Sequence, residues 1–159
     1  MHEKGYFHQD LKLENLLVSR GLIKIGDMGS AKEINSNQPL TDYVTTHWYR
    51  APEVVLGSEN YSLKVDMWAM GAIMADLFMF KPLFLGRNLF DQMLKICSIL
   101  GNPTPESWLG GLALAGGSNY QFPHLTGVNL SSMMPSASWN AISMIKLMCS
   151  WDPNKRPSA

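Results

Sequence analysis

The feature that most constrains this chain is a pair of polar motifs bracketing a short ribbon. His8-Gln9-Asp10-Leu11-Lys12-Leu13-Glu14-Asn15 comes first, and Asp27-Met28-Gly29 follows. Between them lie two apolar runs, Leu16-Leu17-Val18 and Leu22-Ile23-Lys24-Ile25, split by Ser19-Arg20-Gly21. Two β-prone segments around a turn containing Gly predict a β-hairpin. A hairpin folds its ends together, so Asn15 and Asp27 are expected side by side at one mouth, with Asp10 and Lys12 just upstream. A carboxylate, an ammonium, an amide and a second carboxylate then converge, as phosphoryl transfer with a divalent metal requires. Either motif alone reads as turn chemistry, because Asp and Asn are common turn formers. Both together at hairpin spacing, with Ala51-Pro52-Glu53 downstream, point to a site.

At 159 residues the chain has the length of one compact domain. Its 13 Lys and Arg are matched by 13 Asp and Glu. That balance argues against a nucleic-acid surface built on bulk charge. Cys97 and Cys149 sit in apolar helical contexts without metal-ligand spacing, and read as buried free thiols of an intracellular protein. The first residues show neither the charged nor the apolar region of a signal peptide. The longest uninterrupted apolar run, 67–75, is too short to cross a bilayer. The expectation is a protein of the cytoplasm and/or nucleus with no membrane contact.

Residues 27–53 are polar and turn-rich with no sustained period, and a loop of that length in a compact domain is usually functional or mobile. Residues 63–80 are apolar on every side, which predicts a core helix, with Asp66 the polar residue needing an explanation. Leu89, Met93, Ile96 and Leu100 recur at helical spacing before Gly101-Asn102-Pro103 stops the helix. A stretch rich in Gly, Ser, Asn and Pro covers 104–134. A last helix is expected over 136–151, capped by Ser136 or Ser138, with Ile142, Ile145 and Met148 inward.

The pattern His-x-Asp-Leu-x-x-x-Asn followed by Asp-x-Gly resembles the catalytic-loop and metal-loop pair of eukaryotic protein kinases. Thr41-Asp42-Tyr43 and the run from Thr45 to Glu53 resemble the T-x-Y pair and the T-x-W-Y-R-A-P-E loop of the cyclin-dependent/mitogen-activated group. Within that group the likeness is to the male germ cell-associated kinases and their plant relatives. The resemblance implies that Asp10 accepts the substrate hydroxyl proton and that Lys12 neutralises charge on the moving phosphoryl group. Asn15 and Asp27 would hold Mg2+ across the phosphates of ATP, and Lys12 would share in nucleotide binding. Thr46 would bridge Asp10 and Lys12, and Arg50 would receive a phosphate on Tyr43, Thr41 being the other regulatory position. His8 would pack beneath the metal loop, Asp66 would hold the catalytic-loop backbone, and Glu53 would pair with Arg156.

The implied fold is mainly α: a kinase C-terminal lobe with a small β-hairpin at the catalytic cleft and the N-terminal lobe absent. Residues 1–159 would form one partial kinase domain, with catalytic loop 8–15, metal loop 27–29, activation segment 27–53 and a group-specific insert over 104–134. That insert reads as a docking surface for a partner or as a surface loop. No G-x-G-x-x-G loop and no V-A-I-K lysine occurs. Gln9, Leu13, Met28 and His47 depart from the residues usual in the family. The implied function is transfer of the ATP γ-phosphoryl to Ser or Thr hydroxyls of proteins, proline-directed, under an upstream activating kinase, and impaired in a truncated chain. The alternatives are a non-catalytic binding fragment occupying partners of a full-length kinase, and a truncated or decaying copy.

Overall fold

The computed structural model describes residues 1–34 and 47–159. A single 3-10 turn, His2–Lys4, leads into β1 (Tyr6–Phe7); β2 (Leu16–Ser19), β3 (Leu22–Ile25) and β4 (Lys32–Glu33) follow. β2 and β3 pair antiparallel, with Leu16 opposite Ile25 and Ser19 opposite Leu22. The two residues joining them, Arg20 and Gly21, have φ of 51° and 76°. Two successive left-handed residues give the tight turn whose twist matches that of the strands, and Gly21 adopts it without a Cβ penalty. At the other end of the ribbon the Gly26 N–H donates to the Asn15 carbonyl at 2.8 Å, carrying the ladder up to the motif residues.

A second sheet corrects the expected fold class. β1 pairs antiparallel with β4, Tyr6 opposite Glu33 and Phe7 opposite Lys32. Among the described residues two separate small sheets therefore precede the first α-helix, and the expectation of a mainly α C-terminal lobe bearing one hairpin does not hold. The physical reason is length. Strands of two residues carry no period-two pattern, so their pairing is fixed by tertiary context and leaves no local signal.

Among the described residues six α-helices follow: α1 (Pro52–Val55), α2 (Lys64–Met79), α3 (Leu89–Leu100), α4 (Pro105–Gly117), α5 (Leu130–Met133) and α6 (Trp139–Met148). α2 is the centre of the core, where Trp68, Ala72, Ile73 and Ala75 are buried. Trp68 stacks on Phe84 with ring centroids 5.4 Å apart. Each such side chain contributes about 1.5–3 kcal/mol through burial. α2 ends at Phe80, whose φ of 55° is left-handed, two residues before Pro82. α6 crosses α2 at Gly71, where a Cβ would fall 2.7 Å from Cys149 Sγ and 2.8 Å from Met148 Cβ. Only a residue without a side chain allows that approach.

α3 begins at Asn88, whose side chain accepts from the Asp91 N–H at 2.9 Å, and it turns Met93 and Ile96 into the core. The segment 104–134 holds a helix of 13 residues, α4, and the short α5. Thr104 and Ser107 cap α4 reciprocally, Ser107 Oγ accepting from the Thr104 N–H at 2.7 Å. Trp108, in a non-helical kink, stacks on Trp151 at 5.8 Å. Among the described residues no helix is long and apolar enough to cross a membrane.

Candidate active site

The loop 8–15 is held from behind by one buried carboxylate. Asp66, on the first turn of α2, is 3% exposed. Its Oδ2 accepts from the His8 N–H at 2.7 Å and its Oδ1 from the Gln9 N–H at 2.9 Å. His2 Nε2 lies 2.8 Å from the same Oδ2. A buried carboxylate needs such partners, and it returns the favour by fixing the loop. Gln9 has a φ of 70°, unusual for a residue with a Cβ, and the surrounding bonds hold it there. The Tyr61 hydroxyl donates to Gln9 Oε1 at 3.3 Å.

His8 is fully buried and links the two motifs. The Asp10 N–H donates to its Nδ1 at 3.3 Å. In the neutral ring the proton then sits on Nε2, which donates to the Gly26 carbonyl at 2.9 Å. The backbone of the loop 8–15 and the residue before Asp27 are thus tied through one imidazole.

In front of this support the predicted groups meet. Lys12 Nζ lies 2.7 Å from Asp10 Oδ2, both side chains being mostly shielded. The hydrogen bond to Asp10 holds the Lys12 ammonium above its ordinary range, against desolvation, helped by the charges of Asp10, Glu14 and Asp27. Asn15 Nδ2 donates to the Asp10 carbonyl at 2.9 Å, leaving the amide oxygen as acceptor. Asp27, exposed and left-handed at φ 56°, accepts from the Gly29 N–H at 3.4 Å. The Asn15 amide and the Asp27 carboxylate are brought to one end of the ribbon by its register.

That donor set suits Mg2+. Among the described residues no three His, Cys, Asp or Glu side chains form a closed cage. Mg2+ is commonly held by one or two carboxylates with substrate phosphates and water completing the octahedron. One carboxylate and one amide oxygen beside an ammonium fit that pattern.

The segment after the undescribed stretch is fastened by side chains. Trp48 Nε1 donates to the Gly86 carbonyl at 2.9 Å, and buried Gln92 donates to the Trp48 carbonyl at 3.3 Å. The Tyr49 hydroxyl donates to Asp76 Oδ2 at 2.9 Å. Glu53 and Arg156 form a two-pronged ion pair, with both N–H···O distances 2.7 Å. The Arg156 guanidinium also lies 5.1 Å from the centroid of the Trp68 ring, and its donors reach the Ser150, Trp151 and Lys64 carbonyls. Arg50 is half-buried, and its charge together with burial pushes the His47 imidazole down, burial being the larger cause. Thr41, Tyr43 and Thr46 lie outside the described residues, as does any contact between Tyr43 and Arg50.

Three supporting residues escaped sequence reasoning: Tyr49, Asp76 and Gln92. A carboxylate late in a helix apolar on all sides is the one local signal that marks Asp76. Gln92 and Tyr49 carry none, since their partners are distant in the chain.

Comparison with known proteins gives the family. The protein kinase domain model matches residues 1–159. That single match, with the small sheets at its start, leaves no basis for the expected division into a present C-terminal and an absent N-terminal lobe. Cyclin-dependent kinase F-4 of Oryza sativa subsp. japonica is 54% identical over the whole chain, which covers 35% of that protein. Cyclin-dependent kinase F-3 of the same plant is 50% identical, with 37% of its length covered. The human serine/threonine-protein kinase MAK is 48% identical over the whole chain, covering 26% of its length. The chain thus spans between about a quarter and somewhat over a third of the length of these curated relatives, all named as kinases. A family match running from the first residue to the last, together with serine/threonine kinases about half identical throughout, means that the chain belongs to the protein kinase family.

Proposed function

We propose that this chain carries the phosphoryl-transfer site of a serine/threonine protein kinase that uses ATP and Mg2+ and acts on protein hydroxyls followed by proline. The observation that carries the reading is the convergence of Lys12 on Asp10 at 2.7 Å, with Asn15 bonded to the Asp10 backbone and Asp27 at the same end of the ribbon. In this reading Asp10 accepts the proton of the attacking hydroxyl. The ammonium of Lys12 offsets charge on the transferring group and orients the carboxylate. The Asn15 amide and the Asp27 carboxylate hold Mg2+, which when bound neutralises charge across the nucleotide phosphates. Such a site depends on positioning, where a displacement of about 1 Å can cost on the order of a hundredfold. The buried bonds from Asp66 and His8 support that precision.

Thr41 and Tyr43 are the proposed targets of an activating kinase, with Arg50 as receiver, and Thr46 the proposed bridge between Asp10 and Lys12. The 104–134 region is the proposed docking face for a partner. Two buried free thiols support an intracellular setting, cytoplasm and/or nucleus. The test is phosphotransfer by the purified chain to Ser-Pro and Ser-Ala peptides beside its Asp10→Asn variant. Transfer to the Ser-Pro peptide lost by at least about a hundredfold in the variant is expected. Equal signals from both proteins would overturn the assignment, and equal use of both peptides would remove the proline preference.

A further inference from the structure

Of the nine prolines in the sequence, Pro105 alone directly follows a Ser or Thr, so Thr104-Pro105 is the single hydroxyl-proline dipeptide of the chain. Thr104, Pro105 and Glu106 are exposed, whereas Pro103 before them and Trp108 after them are buried. Thr104 is extended at φ −116° and ψ 166°, the conformation a following proline favours. Its Oγ1 accepts from the Ser107 N–H at 3.3 Å, a long bond. The rest of α4 does not hold this first turn. Trp108 is non-helical, with φ −166° and ψ 73°, and breaks the helical path after residues 105–107, while its ring stays stacked on Trp151. The turn is held by its own bonds: Thr104 N–H to Ser107 Oγ at 2.7 Å, Trp108 N–H to the Thr104 carbonyl at 2.8 Å, and Lys155 Nζ to the Glu106 carbonyl at 2.8 Å. Beside it lies an open cleft of about 700 Å³, walled by the turn on one side and lined also by Tyr61 and Leu114. The turn therefore has room to move while Trp108 stays anchored.

From this arrangement we infer that Thr104 is a phosphorylation site for a protein kinase that selects a hydroxyl followed by proline. In the transfer the γ-phosphorus of ATP bonds to Thr104 Oγ1 as its bond to the β,γ-bridging oxygen breaks. ADP leaves, and the hydroxyl proton passes to the carboxylate base of the acting kinase. The exposed dipeptide supplies both the acceptor and the residue by which it is selected. The break at Trp108 lets the turn extend along a substrate groove without unwinding the remainder of α4. The product places a charge of about −1.5 to −2 on the rim of the cleft. Its oxygens still accept from the Ser107 N–H, so the cap re-forms, with Lys155 as a cation and Glu106 as a like charge on the same turn. The inference stands apart from this chain's own catalysis, because any kinase with that selectivity can be the acting enzyme.

The test offers the folded full chain and its Asp10→Asn variant, with ATP and Mg2+, to a purified kinase that phosphorylates the Ser-Pro peptide and not the Ser-Ala peptide. Mass spectrometry of the digested products locates the phosphate. Thr104 is expected to carry at least about ten times more than any other hydroxyl, in the parent and in Asp10→Asn alike. Pro105→Ala is expected to lower incorporation at Thr104 by at least about tenfold. Because a helix needs no proline at its first position, the same variant should keep its thermal midpoint within about 2 °C. A free peptide spanning 100–110 sets the rate without the fold, and the folded chain should be slower by no more than about a hundredfold, the cost of opening one turn. A second arm omits the added kinase: phosphate on Thr104 of the parent and none on Asp10→Asn would support the inference with the chain as its own kinase. Phosphate on the peptide but on neither folded protein would overturn it, as would equal labelling of Pro105→Ala or labelling spread over other hydroxyls. Loss of the self-reaction alone counts against the kinase reading of this chain and leaves Thr104 to the added kinase.

Discussion

The loop 8–15 and the β2–β3 ribbon lie on either side of the same candidate site and are built on opposite principles. The loop is short and irregular, but buried groups hold it: Asp66, from far along the chain, at His8 and Gln9, and His8, within the loop, at Asp10. The ribbon is regular in its hydrogen bonding and bare in its packing. Val18 and Ile23 are 75% and 66% exposed, and Leu17, Leu22 and Ile25 are exposed as well. Two-stranded hairpins with neither face covered are marginal on their own. Precision at Asp10 comes from tertiary bonds, whereas precision at Asp27 comes from ribbon register and the Gly26–His8 bond. An irregular loop is thus the firmer half of the site.

The strongest challenge to this contrast is Arg156→Ala. It strands Glu53 inside the protein beneath the loop 47–53, and a loss of about 3–5 kcal/mol in urea unfolding is expected. A loss below about 1 kcal/mol would mean that the buried side of the molecule is less dependent on its ion pair than the geometry says. Asp66→Ala should cost about 2–3 kcal/mol and speed amide exchange at His8 and Gln9, leaving the β2–β3 amides as they were. Matching acceleration in the ribbon would show that loop and ribbon move as one unit, and the contrast would fall.

Trp48→Phe removes one donor to the Gly86 carbonyl while keeping an aromatic ring, so about 1 kcal/mol in thermal unfolding is expected. The smallest effect belongs to the ribbon. Ile23→Thr retains a β-branched side chain on an exposed strand, and a change within about 0.5 kcal/mol is expected, together with less self-association in light scattering. A loss of 2 kcal/mol there would show that the exposed face is packed in solution.

The ribbon and the helices α2 and α3 were legible in the residues themselves. Ser19-Arg20-Gly21 between two apolar runs named the hairpin, and with it the placement of Asn15 and Asp27 at one end of the ribbon. Apolar positions on all sides named α2, expected over 63–80 and found at Lys64–Met79. The helical spacing from Leu89 to Leu100 matched α3 at both ends. α4 was obscured because Gly, Ser and Pro suggest a loop, although Thr104 and Ser107 form a cap and Trp108 provides an anchor. β1 and β4 were invisible because two residues cannot show a period, and the fold class was misread for that reason. Tyr49–Asp76 and Trp48–Gln92 are long-range pairs of side chains, and no local pattern encodes which distant residue a hydroxyl or amide will meet.

The bare glycine at the crossing of α2 and α6 sets a dimension used elsewhere. Cys149 and Met148, which settle against Gly71, are followed at once by the Ser150 and Trp151 carbonyls that receive the Arg156 guanidinium. Interhelical spacing at one hydrogen atom therefore serves as the gauge for where a cation can be seated some distance away. Any side chain at position 71 would shift that seat relative to Glu53, so a defect in hydrocarbon packing would register as a misaligned charge pair.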